Sequence, residues 1–268
     1  MTRWDCHAHL FGPYAQFALA PERSYTPPEA TLAQYLQMLS QLGMTQGVLV
    51  HPSAYADDHS LLFHALAAAP QLRGVVVARA GGVHGSFAGY RARGVRAARF
   101  SARSAPGGNF AGSAGLDDLR ALAPALADAG LHAELWTDTQ ALPDLVDTLK
   151  ALPVPVVIDH MGGFDPAAGV DAPGFRALLS LLETGKVWVK LCAYRNYLSR
   201  GDLLDSGPFH KLMAQANPAR LVWGSDWPHL RVEPAPATAS LLALLAHCLD
   251  DAAVLERVLS SNPAALYG

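Results

Sequence analysis

Cysteine is scarce: Cys6, Cys192 and Cys248 stand at unrelated spacings in a chain of 268 residues. An odd, sparse count excludes a disulfide framework and fits a reducing cytoplasm, the expected location. Charge is thin too, at 16% of residues, and a net charge of −3 leaves no basic field for nucleic acid. Lysines and arginines are scattered, which argues against a membrane surface. No apolar run reaches the roughly 18 residues of a spanning helix. The chain enters a strand almost at once, so no secretory leader is expected. Repeats, low-complexity tracts and linkers are missing, so nothing marks a second domain.

What is present is apolar residue, 51% of the total, enough for a large core. The length is close to the roughly 250 residues of a (β/α)8 barrel, and residues 1–268 are read as one α/β TIM-barrel domain. Strands are predicted at 3–8, 47–51, 73–79, 95–100, 131–136, 155–159, 187–191 and 220–224. Several are β-branched runs, as strands buried on both faces should be. Helical spacing predicts helices over 31–42, 58–69, 115–129, 139–150, 173–184 and 208–216, a short one near 86–92 and a last one within 238–260. The irregular stretches 11–30 and 101–114 follow strands and are expected to form a rim or lid over the site.

Chemistry gathers at the strand ends. His7 and His9 share one face of the first strand, because side chains alternate with period 2. Two imidazoles there suit a divalent metal, or an anionic substrate when protonated. The second strand brings the hydroxyls of Ser53 and Tyr55. The fourth brings Arg99 and Arg103, whose planar forks match carboxylates; Arg96 can face the helix layer instead. On the fifth, His132 lies deep, and Glu134 is a metal ligand, a base or an arginine's partner. The sixth ends in Asp159-His160, with His160 at the mouth and Asp159 orienting a neighbour. The seventh gives Arg195, and Lys190, which points into the mouth or pairs with an acid below it. The eighth ends in Asp226, a general base for water or a metal ligand, with His229 three residues on.

His7-Ala8-His9, His160 and Asp226 together resemble the amidohydrolase superfamily, over essentially the whole chain. Within it (the amidohydrolase-2 branch) the chain is similar to the 2-pyrone-4,6-dicarboxylate hydrolases of aromatic catabolism. The stretches that carry this are His9-Leu10-Phe11-Gly12-Pro13, Ala20-Pro21-Glu22-Arg23-Ser24-Tyr25-Thr26-Pro27, His51-Pro52-Ser53-Ala54-Tyr55 and Ile158-Asp159-His160-Met161-Gly162. Trp223-Gly224-Ser225-Asp226-Trp227-Pro228-His229 and the ending Asn262-Pro263-Ala264-Ala265-Leu266-Tyr267-Gly268 match as well.

The resemblance implies a hydrolase opening a carboxylated lactone, its small anionic partner. Asp226 would activate water while His7, His9 and His160 polarise the carbonyl. Arg99, Arg103 and Arg195 would hold carboxylates, with Tyr25, Ser53, Tyr55 and His229 adding hydrogen bonds. No cofactor is required by the branch, although His7, His9, His160 and Asp226 would hold one Zn²⁺ or Mn²⁺ if a metal is bound. Protonated histidines could otherwise replace the metal's charge. A metal-dependent decarboxylase, a sugar-acid lactonase and a non-catalytic binder on the same barrel are the alternatives. Three stretches differ from the branch where substrate would be read: Leu230-Arg231-Val232, Glu134-Leu135-Trp136 and the loop 104–109.

Overall fold

A computed structural model describes residues 2–82, 85–104, 108–197 and 202–268. Eight parallel strands follow one another in a single sheet: β1 (Trp4–Ala8), β2 (Gln46–Val50), β3 (Leu72–Val77), β4 (Val95–Ala102), β5 (His132–Thr137), β6 (Val156–Ile158), β7 (Val187–Leu191) and β8 (Leu221–Trp223). Helices alternate with them: α1 (Leu32–Gln41), α2 (Ser60–Ala68), α3 (Phe87–Ala92), α4 (Leu116–Asp128), α5 (Leu142–Ala151), α6 (Pro173–Glu183), α7 (Gly207–Ala216) and α8 (Thr238–Leu249). This is a (β/α)8 barrel.

The sheet closes where the ends of the chain meet. Ala8 bridges Trp227, Asp226 N donates to His7 O at 2.8 Å, and His9 N donates to Trp227 O at 2.8 Å. Asp5 accepts from Ser225 N at 2.8 Å and from its hydroxyl at 2.6 Å. Gly224 permits the approach, since a Cβ there would stand 2.5 Å from the Cβ of His7.

Alternation along the strands separates two packed layers. Val48, Val50, Val75, Ala97, Val157, Trp188 and Val222 fill the barrel with Trp4, Cys6 and Tyr267. Their neighbours Leu49, Val76, Ala98, Val156, Val189 and Leu221 pack outward with the helices. Each fully buried aliphatic side chain contributes about 1.5–3 kcal/mol. A register shift between Asp5 and Ala8 breaks the alternation. The extra residue lets Cys6 and His7 both turn inward, and His9 follows two residues on.

Most elements fall within two or three residues of expectation, and three differences bear on the fold. β4 runs two residues beyond 100. β6 stops at Ile158, because His160, Met161, Gly162 and Gly163 take positive φ (50°, 55°, 70° and 55°) and swing the chain out of the sheet. The last predicted helix breaks after Leu249. Asp250 takes φ 48°, and Asp251 caps a new helix, α9 (Ala252–Glu256), by accepting from Ala253 N and Val254 N. A π-turn (Arg257–Ser261) then leads to α10 (Asn262–Tyr267), which closes the barrel's amino-terminal end. There Arg96 reaches the carbonyl oxygens of Tyr267 and Gly268, both at 3.1 Å. Of the loop 104–109, residues 105–107 lie outside the described residues.

Candidate active site

A ladder of charge rises through the barrel. At its foot the Tyr267 hydroxyl donates to Glu134 Oε1 at 2.7 Å. Glu134 Oε2 accepts from Lys190 Nζ, which also stands 3.3 Å from Asp159 Oδ1 and 3.2 Å from His7 Nδ1. All four of Glu134, Lys190, Asp159 and His7 are completely buried. Burial alone would raise the Glu134 carboxyl, but the Lys190 ammonium holds it down to about 2. Glu134 is therefore the counter-ion of Lys190 beneath the site. It is neither an arginine's partner nor a free charge facing substrate.

Above the ladder the histidines converge. The rings of His7 and His9 are 4.9 Å apart, those of His7 and His160 4.8 Å. His9 Nδ1 lies 2.7 Å from Val50 O, an acceptor only, so that nitrogen carries a proton and donates it there. Its Nε2 stands 3.2 Å from His7 Nε2 and 3.4 Å from Asp226 Oδ1. Asp226 Oδ2 takes the Tyr194 hydroxyl at 2.8 Å and the Arg195 Nε–H. Burial would raise the Asp226 carboxyl, yet Arg195, His160 and the other histidines keep it well below its usual range. Burial, then Lys190, lowers His7 to about 4, and burial carries His160 well below 6.5. The two rings are neutral at pH 7, so they do not supply the positive charge expected of protonated imidazoles. Asp226 and His160 both hold positive φ (57° and 50°), strain that the hydrogen bonds around them must sustain.

The carboxyl ends of the strands enclose a cavity of ≈ 70 Å³ walled by His9, His160, Asp226, Arg99, Arg195, Tyr25 and Ser53. Arg99 Nε donates to Asp159 Oδ2 at 2.9 Å, and among the described residues its terminal nitrogens have no partner. The rim loops meet over the cavity: Tyr25 and Phe110 are 5.5 Å apart, and Ala111 N donates to Ser24 Oγ at 2.9 Å. Arg103 borders an adjoining recess of ≈ 340 Å³. Two expected residues stand elsewhere. The Tyr55 hydroxyl accepts from Gly12 N at 2.8 Å and fixes the first rim loop. His229 turns its Nε2 to Thr238 Oγ1 at 2.9 Å and packs edge-on against Tyr194.

Sequence reasoning assigned no role to Tyr194, which shares Asp226 with Arg195, or to Arg231, which borders both the cavity and the recess, although it placed residues 230–232 where substrate would be read. Tyr194 lies one residue before Arg195, and its position beside a strand end was the available signal.

His7, His160 and Asp226 offer ligand atoms within 4.8 Å of one another. His160 Nδ1 is buried without a hydrogen-bond partner among the described residues. Two nitrogens and one oxygen converging in this way fit a divalent cation. His9 is outside that group.

Such a barrel, with histidines and an aspartate converging at its carboxyl end, has the architecture of the amidohydrolases. The chain belongs to the amidohydrolase family, whose profile matches residues 4–268. It is 32% identical over 99% of its length to a 4-sulfomuconolactone hydrolase of Rhizobium radiobacter, covering 89% of that protein. It is 30% identical over 98% of its length to a 2-pyrone-4,6-dicarboxylate hydrolase of Comamonas testosteroni, again covering 89%. A Pseudomonas putida structure, solved under the provisional name 2-pyrone-4,6-dicarboxylic acid hydrolase, superposes with a TM-score of 0.85. It is 32% identical, and the match covers 100% of this chain and 97% of that one.

Proposed function

We propose that the protein hydrolyses a carboxylated lactone of the 2-pyrone-4,6-dicarboxylate kind. The observation that carries this reading is Asp226: buried, fixed by Tyr194 and Arg195 through Oδ2, with Oδ1 turned to the histidines on the wall of an arginine-lined cavity. The two relatives named for lactone hydrolysis favour a cyclic ester over the other substrates of this fold.

In this reading Asp226 Oδ1 accepts a proton from water as the oxygen attacks the lactone carbonyl. The carbonyl π-pair moves to its oxygen, and the neutral imidazoles of His7 and His160 donate hydrogen bonds there. The tetrahedral centre collapses, the ring C–O bond breaks, and Asp226 returns its proton to the departing oxygen. Arg99 and Arg195 hold the substrate carboxylate nearest the reacting carbon. Arg195 also weakens Asp226 as a base, so its turning toward a substrate anion strengthens Asp226 when substrate is bound. A divalent ion held by His7, His160 and Asp226 would polarise the carbonyl and acidify the water.

The test follows pyrone absorbance in metal-stripped protein given 2-pyrone-4,6-dicarboxylate, with and without Zn²⁺ or Mn²⁺. Ring opening is expected in wild type, and Asp226→Asn should lower kcat by about 10²–10⁴ with binding retained. Undiminished turnover in that variant would remove Asp226 from the mechanism. The Rhizobium radiobacter relative favours a sulfonated muconolactone as the second substrate to try.

A further inference from the structure

The arginines of the site fall into two sets. Arg99 is neutralised by Asp159 and Arg195 by Asp226. Arg231 makes no ion pair or hydrogen bond among the described residues, and its guanidinium stands 4.6 Å from the Phe110 ring and 6.0 Å from Tyr25. Among the described residues the Arg103 guanidinium reaches only the backbone carbonyl of Gly108, at 3.4 Å, and its buried Nε has no partner. It lies 4.5 Å over Trp136. Phe110 and Trp136 themselves meet at 5.1 Å, so the two guanidiniums rest on adjoining aromatic rings. Both border the outer recess, beside Arg195.

Stacking on aromatic rings positions a guanidinium without neutralising it. Arg103, Arg195 and Arg231 also repel one another. After burial, Arg195 is the largest influence lowering Arg231, and Arg103 acts in the same direction. The recess carries one carboxylate among its described lining residues, Asp165, which accepts from Ala167 N at 3.0 Å. Two guanidinium forks therefore face the recess with no carboxylate within ion-pair distance among the described residues, an arrangement favourable only when an anion joins them.

The geometry points to Arg231 as a specificity-determining residue: with Arg103 it clamps a second anionic group of the substrate, a carboxylate or sulfonate that projects into the outer recess. The inference rests on the reading that the inner cavity takes an anionic ring. It adds that this ring must carry its second charge on the side of the Phe110–Trp136 pair. A planar fork stacked on a ring suits either oxyanion, whereas a lysine would supply only a point charge.

Flat, unreactive probes test this apart from catalysis. Calorimetric titration of wild type with benzoate, isophthalate and 3-sulfobenzoate should show the doubly charged ligands bound about tenfold or more tightly, the value of one charge-assisted hydrogen-bonded contact. Arg231→Gln and Arg103→Gln should each remove that preference while leaving benzoate unchanged, and Arg231→Lys should keep part of it. A loss confined to isophthalate assigns the clamp to carboxylates, and one confined to 3-sulfobenzoate assigns it to sulfonates. Equal weakening of benzoate and the dianions, or no weakening, would overturn the inference; thermal melting confirms that the variants are folded. Turnover of the pyrone with no dianion preference counts against the clamp alone. A preference without turnover counts against the lactonase reading alone.

Discussion

Lys190 and Glu134 face each other across 2.5 Å at the centre of the barrel, neither reached by solvent. Removing one partner strands the other charge in an apolar surround, which costs about 3–5 kcal/mol. Glu134→Gln and Lys190→Met are expected to fall in that range in urea unfolding. The double variant Glu134→Gln/Lys190→Met should lose less than the sum of the two single variants, because no orphan carboxylate remains at position 134. Strict additivity would mean that the two groups are independent.

The same pair sets a pH dependence. The folded Glu134 carboxyl titrates at about 2, against an ordinary value of 4.5. Its folded pKa is depressed, so the unfolded chain binds the proton more readily between those values. The stabilisation is complete above pH 4.5 and drains away as pH falls toward 2, on the order of a few kcal/mol in all. Urea midpoints of wild type and Glu134→Gln, measured from pH 6 to 2.5, should converge on the acid side. A gap that stays constant with pH would contradict this assignment.

Gly224→Ala addresses the seam. Its Cβ would meet the Cβ of His7 at 2.5 Å and His7 N at 3.0 Å. Neither β8 nor β1 can yield without moving a site histidine, so overpacking of about 1–3 kcal/mol is expected together with a large loss of kcat. Unchanged stability and kcat would show that the strands separate freely there.

The barrel was legible because strand alternation and strand–helix order are local patterns. The converging group was legible because His7, His9, His160 and Asp226 each stand where an apolar strand meets its loop. Height along the barrel axis was not legible. Glu134 shares a face with residues at the mouth, yet it sits beneath them, and only Lys190, two strands away on β7, and the distant Tyr267 reveal this. Tyr55 was misplaced because a hydroxyl after a strand looks the same whether it faces substrate or the backbone of Gly12. The stretch 230–232 was marked as lying near substrate, but no role for Arg231 was legible, because it follows β8 in a segment without periodicity, at φ 59°. The break after Leu249 depends on Asp251 acting as a cap, which a continuing apolar pattern concealed.

The bonds that join Asp5 to Ser225 connect residues 220 apart in the chain. They lie beside His7 and Asp226, so the candidate site coincides with a sheet contact of high loop-closure entropy. During synthesis His7 and His9 emerge first and wait for nearly the whole chain before meeting Asp226. Pairing of the early strands can precede catalytic competence, and on refolding the return of turnover should mark the closing of the ring rather than its beginning.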